Sequence, residues 1–298
     1  MEDFISASHD VVFKALFVDH KDCLRDFLRA VIDLPLTEQD DVDVLNPELY
    51  PDVAKGKSSR LDIHVTMPDK KFNVEMQSRA KDFSSDRVLF YWSKMFTEDI
   101  ESGSEYQSLD QAFSVNVLGF SYLTCEEYHS SYSIRENTRY DQFSDKLSIH
   151  ILELTKLPKE IDGSDDKQMW LRLIKAEDEE ALEMVRTNTQ NPMIHKAIDA
   201  IYELNADKAL REQIRQRDKA LRDYENDMLV ARSGGRAEGI GIGRAEGIGI
   251  GRAEGEARKL VDNVSKFMKG TGKSLEEVLA ILEVSQSEYD QSLALLNK

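Results

Sequence analysis

Two short alternating runs separated by a turn constrain this chain more than any other feature. Leu61, Ile63, Val65 and Met67 alternate with Asp62, His64 and Thr66, and Phe72, Val74 and Met76 alternate with Asn73, Glu75 and Gln77. A period of two is that of a strand with one apolar and one polar face. Pro68-Asp69-Lys70-Lys71 between the runs is turn chemistry. Pairing Met67 with Phe72 across that turn puts His64 opposite Glu75 and Asp62 opposite Gln77. Asp62 and Glu75 are then diagonal neighbours on the polar face, with Cα atoms about 7 to 8 Å apart. Two carboxylates so placed suit a hard divalent cation such as Mg²⁺, which prefers oxygen ligands and activates a bound water for attack on phosphorus. A half-exposed hairpin with a solvated acidic face has the same pattern, so the neighbouring segments decide.

Ser84 or Ser85 can cap a helix from about Asp86 to Ser102. On it Arg87, Tyr91 and Lys94 fall at i, i+4 and i+7 and share one face, while Leu89, Trp92 and Phe96 cover an adjacent face suited to packing on the sheet. A cationic, hydroxyl-bearing stripe beside a carboxylate pair suits a phosphate. Phe113 to Leu123 and Lys146 to Leu154 read as further strands completing a small mixed sheet. Upstream, Val12, Leu16, Cys23, Phe27 and Val31 mark a helix over residues 9 to 34 that Pro35 stops. An acidic loop from Thr37 to Ser59 follows.

From Asp165 the pattern turns helical. His195 to Arg232 is a charged run with sparse apolar positions, the mark of a solvated helix or one that needs a partner. GRAEGIGI at 235–242 recurs at 243–250, and GRAEG follows at 251–255. A period of eight is neither heptad nor hendecad. Six glycines between 239 and 251, each costing about 1 kcal/mol in a helix interior, predict a flexible or only conditionally ordered tract. Each octapeptide is a whole number of codons, so a change in copy number keeps the reading frame and alters the spacing to the tail. Helices are expected over Glu256–Lys269 and Leu275–Leu282 and from about Ser287, with Ser285 as N-cap. The expected organisation is a first domain over 1–160, a helical region over 161–232, the glycine-rich tract over 233–255 and a helical tail over 256–298.

Charge bears on the partner. The net charge is −17, which opposes phosphate binding, but the excess is uneven. Residues 1–160 hold 18 Lys and Arg against 30 Asp and Glu, whereas residues 194–259 hold 13 against 12. Carboxylates gathered around an empty metal site would add to the first excess, and weak or partner-dependent DNA binding is expected. Cys23 and Cys125 lack the paired spacing of thiolate metal sites and read as core thiols. No run reaches the roughly 18 apolar residues of a membrane span, and the acidic N-terminus is unlike a signal peptide, so a cytoplasmic location is expected.

HDVVFKALF at 9–17, LNPEL at 45–49, RLDI at 60–63, NVEMQ at 73–77 and R-x-x-x-Y-x-x-K at 87–94 together resemble the Rpn family. These are recombination-promoting nucleases, also described as transposases, of the PD-(D/E)XK superfamily. The resemblance spans about residues 8–155, and the glycine-rich segment and tail also look like that family's C-terminal region. It implies an α/β, restriction-endonuclease-like mixed sheet with flanking helices, followed by a mostly α-helical C-terminal region, and a Mg²⁺-dependent DNA endonuclease acting in recombination or on foreign DNA. Asp62 and Glu75 match the metal-binding acids. Gln77 stands where the superfamily usually has lysine, which leaves Lys94 or Lys14 to supply positive charge. Asp10 and Lys14 match the first-helix motif at the edge of the site, with Arg87 and Tyr91 toward substrate. His64 reads as a sheet residue satisfied by its surroundings. The apolar-poor helix from His195 to Arg232, and the need to cut two strands, point to a homodimer through the C-terminal half.

Overall fold

The computed structural model describes residues 4–37, 40–45, 63–100 and 105–297. Asp62, Leu61 and most of the LNPEL motif lie outside the described residues. The chain divides into two compact units, Met1–Arg215 and Gln216–Lys298.

The first unit is built on a six-stranded mixed sheet, the α/β class expected. In chain order the strands are β1 (Asp43–Leu45), β2 (Ile63–Met67), β3 (Lys70–Gln77), β4 (Gln111–Leu118), β5 (His129–Arg135) and β6 (Gln142–Glu153), arranged as β1-β2-β3-β4-β6-β5. The hairpin forms with a tighter turn than expected. Met67 pairs with Lys70 and His64 with Asn73, so neither the Met67–Phe72 pairing nor His64 opposite Glu75 occurs. Asp69 sits at φ 60, a left-handed conformation that Asp tolerates better than most residues. The turn therefore closes on Pro68 and Asp69 alone, and Lys70 and Lys71 join the strand. A slip of two residues preserves every side chain's face, where a slip of one would have reversed them.

β3 and β4 are parallel, with Asn73 beside Ser114 and Glu75 beside Asn116. A parallel pair needs a crossover, and α3 (Ser85–Thr97) supplies it. Its N-cap Ser84 accepts from the Arg87 N–H, and it ends five residues short of the expected Ser102. β4 and β6 are parallel, and β5 closes the edge antiparallel to β6. β1 and β5 were not anticipated. β1 is three residues long, and β5 (HSSYSIR) carries no apolar alternation, in keeping with their places as edge strands.

The apolar face of the sheet carries Ile63, Val65, Phe72, Val74, Phe113, Val115 and Val117, all buried in one core with the helices that cover it. Two helices, α1 (Asp10–Asp19) and α2 (Lys21–Ile32), stand in place of the single expected one. The apolar stripe of Val12, Phe13, Leu16 and Phe17 resumes only at Cys23 and Leu24. His20 and Lys21 fall where a continuous helix would need apolar residues, and the chain bends there.

Three more helices share this core: α4 (Asp166–Lys175), α5 (Glu179–Asn188) and α6 (Pro192–Ala206). The first third of the charged run is therefore not a solvated helix. Ile194, Ala197, Ile198, Ala200 and Ile201 of α6 are buried, its start fixed by Pro192 at the first turn and by Asn191, whose side chain accepts from the Met193 and Ile194 N–H groups. Asp26 of α2 joins the layer. It accepts from Trp170 Nε1 at 2.9 Å, Asn191 Nδ2 at 2.8 Å and Arg29 Nη2 at 2.6 Å.

α7 (Lys208–Thr271) carries the charged run and then the glycine-rich tract as continuous α-helix, against the expectation of flexibility. The tract has no proline, and nothing within 4 Å of its glycines offers an alternative packing. Once helix is nucleated in the flanking segments, each further residue adds a hydrogen bond without a new nucleation cost. The helix ends at a left-handed cap, Gly272 at φ 67, whose N–H reaches the Met268 carbonyl. In the second unit α8 (Leu275–Ile281) and α9 (Gln286–Leu296) gather around Val264, Val278 and Leu279. A Ser274–Glu277 capping box starts α8 and Ser285 caps α9. Among the described residues no helix is long and apolar enough to cross a membrane.

Trp170 is wholly buried among Phe17 and Phe27. Trp170→Ala should lower the unfolding free energy by about 3–5 kcal/mol in urea titration, with a single transition for sheet and helices. A separate transition for residues 166–206 would contradict a shared core.

Candidate active site

Residues two apart on a strand share a face. Lys71, Asn73, Glu75 and Gln77 of β3 therefore line up on the polar side, with Ser114 and Asn116 of β4 beside them. This face is not solvated. α3 covers it, anchored by Val88 within a small core of Leu118, Ile149 and Ile151 and by the Trp92 indole N–H donating to the Ala112 carbonyl at 2.9 Å. Met95 is also buried. Leu89, expected on the sheet-facing side, is 48% exposed. Val88 and Met95 take that role, because the helix turns Trp92 rather than Leu89 toward β4.

Glu75 is only 3% exposed. Its neighbours on the strand hold it from both sides: Asn73 Nδ2 donates to Oε1 at 3.2 Å and Gln77 Nε2 to Oε2 at 2.9 Å. Arg87 Nη2 stands 3.8 Å from Oε2, and its guanidinium lies 5.2 Å from the centre of the Tyr91 ring, a cation–π arrangement. The structure thus brings together Glu75, Gln77, Arg87 and Tyr91. Lys94 is one turn further on, its ammonium 5.0 Å from the Phe90 ring centre. Asp10 and Lys14 are on α1, in the helical layer on the apolar side of the sheet. Asp10 is in the first turn behind the N-cap His9, with His9 Nδ1 3.4 Å from its carboxylate.

The donor set can be tested against a hard cation. Asn73 Oδ1 is buried without a hydrogen-bond partner among the described residues, and it lies on the amide whose nitrogen binds Glu75. A carboxylate beside an uncommitted carbonyl oxygen is all-oxygen chemistry of the kind Mg²⁺ takes. Among the described residues no three His, Cys, Asp or Glu side chains form a cage; Asp62 is outside that set.

A second polar cluster was missed because Lys71 reads as a turn residue. Lys71 is 3% exposed. Its ammonium is 3.2 Å from Glu98 Oε1 and also contacts Asp99. Burial works against its charge, but hydrogen bonds to Asp99 and Glu98 outweigh it and raise its pKa. His64 Nε2 is 3.4 Å from the same Glu98 oxygen. Contrary to the reading of His64 as a satisfied residue, neither ring nitrogen has a hydrogen-bond partner among the described residues. Four residues of strand separate Lys71 from Glu75, about 13 Å, so this cluster ties α3's end to the hairpin rather than entering the site. Glu153, also buried, accepts from the Tyr122 and Leu123 N–H groups at 2.5 and 3.2 Å and from Lys156 Nζ at 2.6 Å, and it fixes the end of β6.

Compared with protein-family models, residues 7–231 match that of the PD-(D/E)XK nuclease family transposases. The chain belongs to this family, as the ordered motifs implied. The match reaches beyond the expected residue 155, through α4, α5 and α6 and into α7. No curated protein and no solved structure matches the chain.

Three histidines give the fold a pH dependence. His150 Nδ1 is 3.0 Å from His129 Nε2, and its Nε2 is 2.8 Å from Ser148 Oγ. Burial holds His64 and His129 at about 4 and His150 at about 3. Unfolded imidazoles titrate near 6.5. As pH falls below that value the unfolded chain binds protons that the folded chain does not. This contribution to stability is therefore full above about pH 6.5 and is lost toward pH 4. The steepest loss is about 1.4 kcal/mol per pH unit for each of His64 and His150. Urea midpoints should fall from pH 7 to 5, and His150→Asn should flatten that fall. A midpoint constant over this range would show that the imidazoles are not held neutral.

Proposed function

We propose that the chain is a Mg²⁺-dependent DNA endonuclease that hydrolyses phosphodiester bonds in recombination or on foreign DNA, and that it works as a cytoplasmic homodimer. The observation that carries this reading is the buried Glu75 carboxylate, steadied by two strand amides with a guanidinium beside it, in a chain of a nuclease family. Asp62 and Glu75 would hold the cation; in sequence Asp62 precedes Ile63, which pairs with Val74, and Glu75 follows Val74. When bound, the cation polarises the phosphate and acidifies a water. Gln77 and Asn73 fix the orientation of the Glu75 carboxylate. Arg87, braced by Tyr91, offsets charge on the phosphate, and Lys94, further along α3, supplies further positive charge along the DNA backbone, a role for which Lys14, across the sheet, is not placed. Water oxygen bonds to phosphorus as the bridging P–O bond breaks, and the leaving oxygen takes a proton.

One observation favours a fold kept without turnover. Gln77, at the usual lysine position, spends its amide on Glu75 and brings no positive charge. Plasmid nicking with and without Mg²⁺ separates the two readings. Glu75→Gln keeps the volume and should reduce nicking at least a hundredfold, a loss of about 2.7 kcal/mol or more in transition-state stabilisation. Asp62→Ala should do the same, and Gln77→Ala should be milder. Glu75→Ala is a poorer probe, since it strands the buried Asn73 amide at about 1–3 kcal/mol and frees the half-buried Gln77 amide. Circular dichroism and urea melting confirm folding of each variant. Folded Glu75→Gln protein that nicks like wild type would remove the assigned site.

A further inference from the structure

We propose that residues 235–255 pair as antiparallel helices with the same segment of a second copy of this chain. The proposal rests on the homodimer reading above and specifies its surface. The segment reads GRAEGIGIGRAEGIGIGRAEG. Reversed, it is the same sequence with every Arg exchanged for Glu and every Glu for Arg, centred on Ala245. An antiparallel pair registered on Ala245 therefore matches opposite charges along its whole length.

The segment is helical and exposed throughout. Ile240, Ile242, Ile248 and Ile250 are 54–64% exposed. Glycine favours helix less than any residue but proline, so a bare helix of this composition draws little stability from propensity and needs packing. At about 100° per residue, Gly241, Ile242, Ala245, Ile248 and Gly249 lie within roughly 60° of Ala245. Glu238 and Arg252 end the same stripe. Two such stripes laid antiparallel set Ile242 level with Ile248 of the second copy, Ala245 against its own counterpart, and Glu238 against Arg252 at both ends. The glycines lack a Cβ, and the space beside them is open, which permits close approach of the backbones. A parallel pair in register would set Glu on Glu and Arg on Arg, which is repulsive. Arg252 also donates to Glu256 at 3.1 Å, an exposed contact too weak to oppose the exchange.

Sedimentation velocity of the full-length chain across the micromolar range tests the pairing. Wild type should self-associate. Glu238→Arg and Arg252→Glu should each weaken association roughly tenfold or more, since every single change replaces two attractions by two repulsions. The double variant Glu238→Arg/Arg252→Glu should restore it. Monomer at all concentrations, single variants that associate like wild type, or a double variant as weak as the singles would each overturn the proposal. Because mass is measured rather than cleavage, a chain that fails to nick DNA still tests the pairing.

Discussion

The site depends on a sheet whose two faces have different chemistry and whose polar face is nonetheless buried. An ionised carboxylate is costly to remove from water unless hydrogen-bonded, and here the strand supplies the bonds itself through Asn73 and Gln77 at i−2 and i+2 of Glu75. The opposite face needs no such provision, because Phe72, Val74, Phe113 and Val115 pack directly on helices. Every feature of the site follows from this division. The crossover helix α3 covers the polar face and delivers Arg87, and the sheet's apolar core holds β3 straight enough for its alternate side chains to meet.

Helices α4 and α6 extend that support. Trp170 and Asn191 both donate to Asp26, so a half-buried carboxylate ties together the layer beneath the apolar face. Glu153 does the same at the end of β6, tied by backbone N–H groups and Lys156. Glu75 differs in its neighbours: amides orient it, and a guanidinium stands near without closing on it at hydrogen-bond distance. Asp26 and Glu153 are thus tied between separate elements, whereas the amides that hold Glu75 come from its own strand.

The polar and apolar faces of the hairpin were legible in the sequence because strand periodicity survives an error in register. Met67–Phe72 was the wrong pair, yet Glu75 and Gln77 kept their face, since the slip was even. The capping serines at 84 and 285 were legible for a local reason: each bonds a backbone N–H three residues on. What could not be read was set by tertiary packing. The bend at His20 is visible only once both stripes have a core to face. β5 has no apolar alternation because it is an exposed edge. α6 looks solvated in sequence because it opens a longer run whose remainder is charged, although α6 itself buries five residues. The burial of the polar face, and with it the cluster of Lys71, His64 and Glu98, depends on where α3 returns across the sheet, which no local pattern encodes.

The octapeptide tract was misjudged for the opposite reason, by weighing each glycine singly. Propensity sums unfavourable terms residue by residue, but helix is a cooperative state, and its flanks nucleate it. The repeat has a further property that a residue-by-residue view hides. Its unit is symmetric in Gly, Ile and Ala and antisymmetric in charge, so GRAEG followed by any whole number of IGIGRAEG units remains its own charge-inverted reverse. Gain or loss of a copy therefore changes the length of the segment without destroying its complementarity to itself.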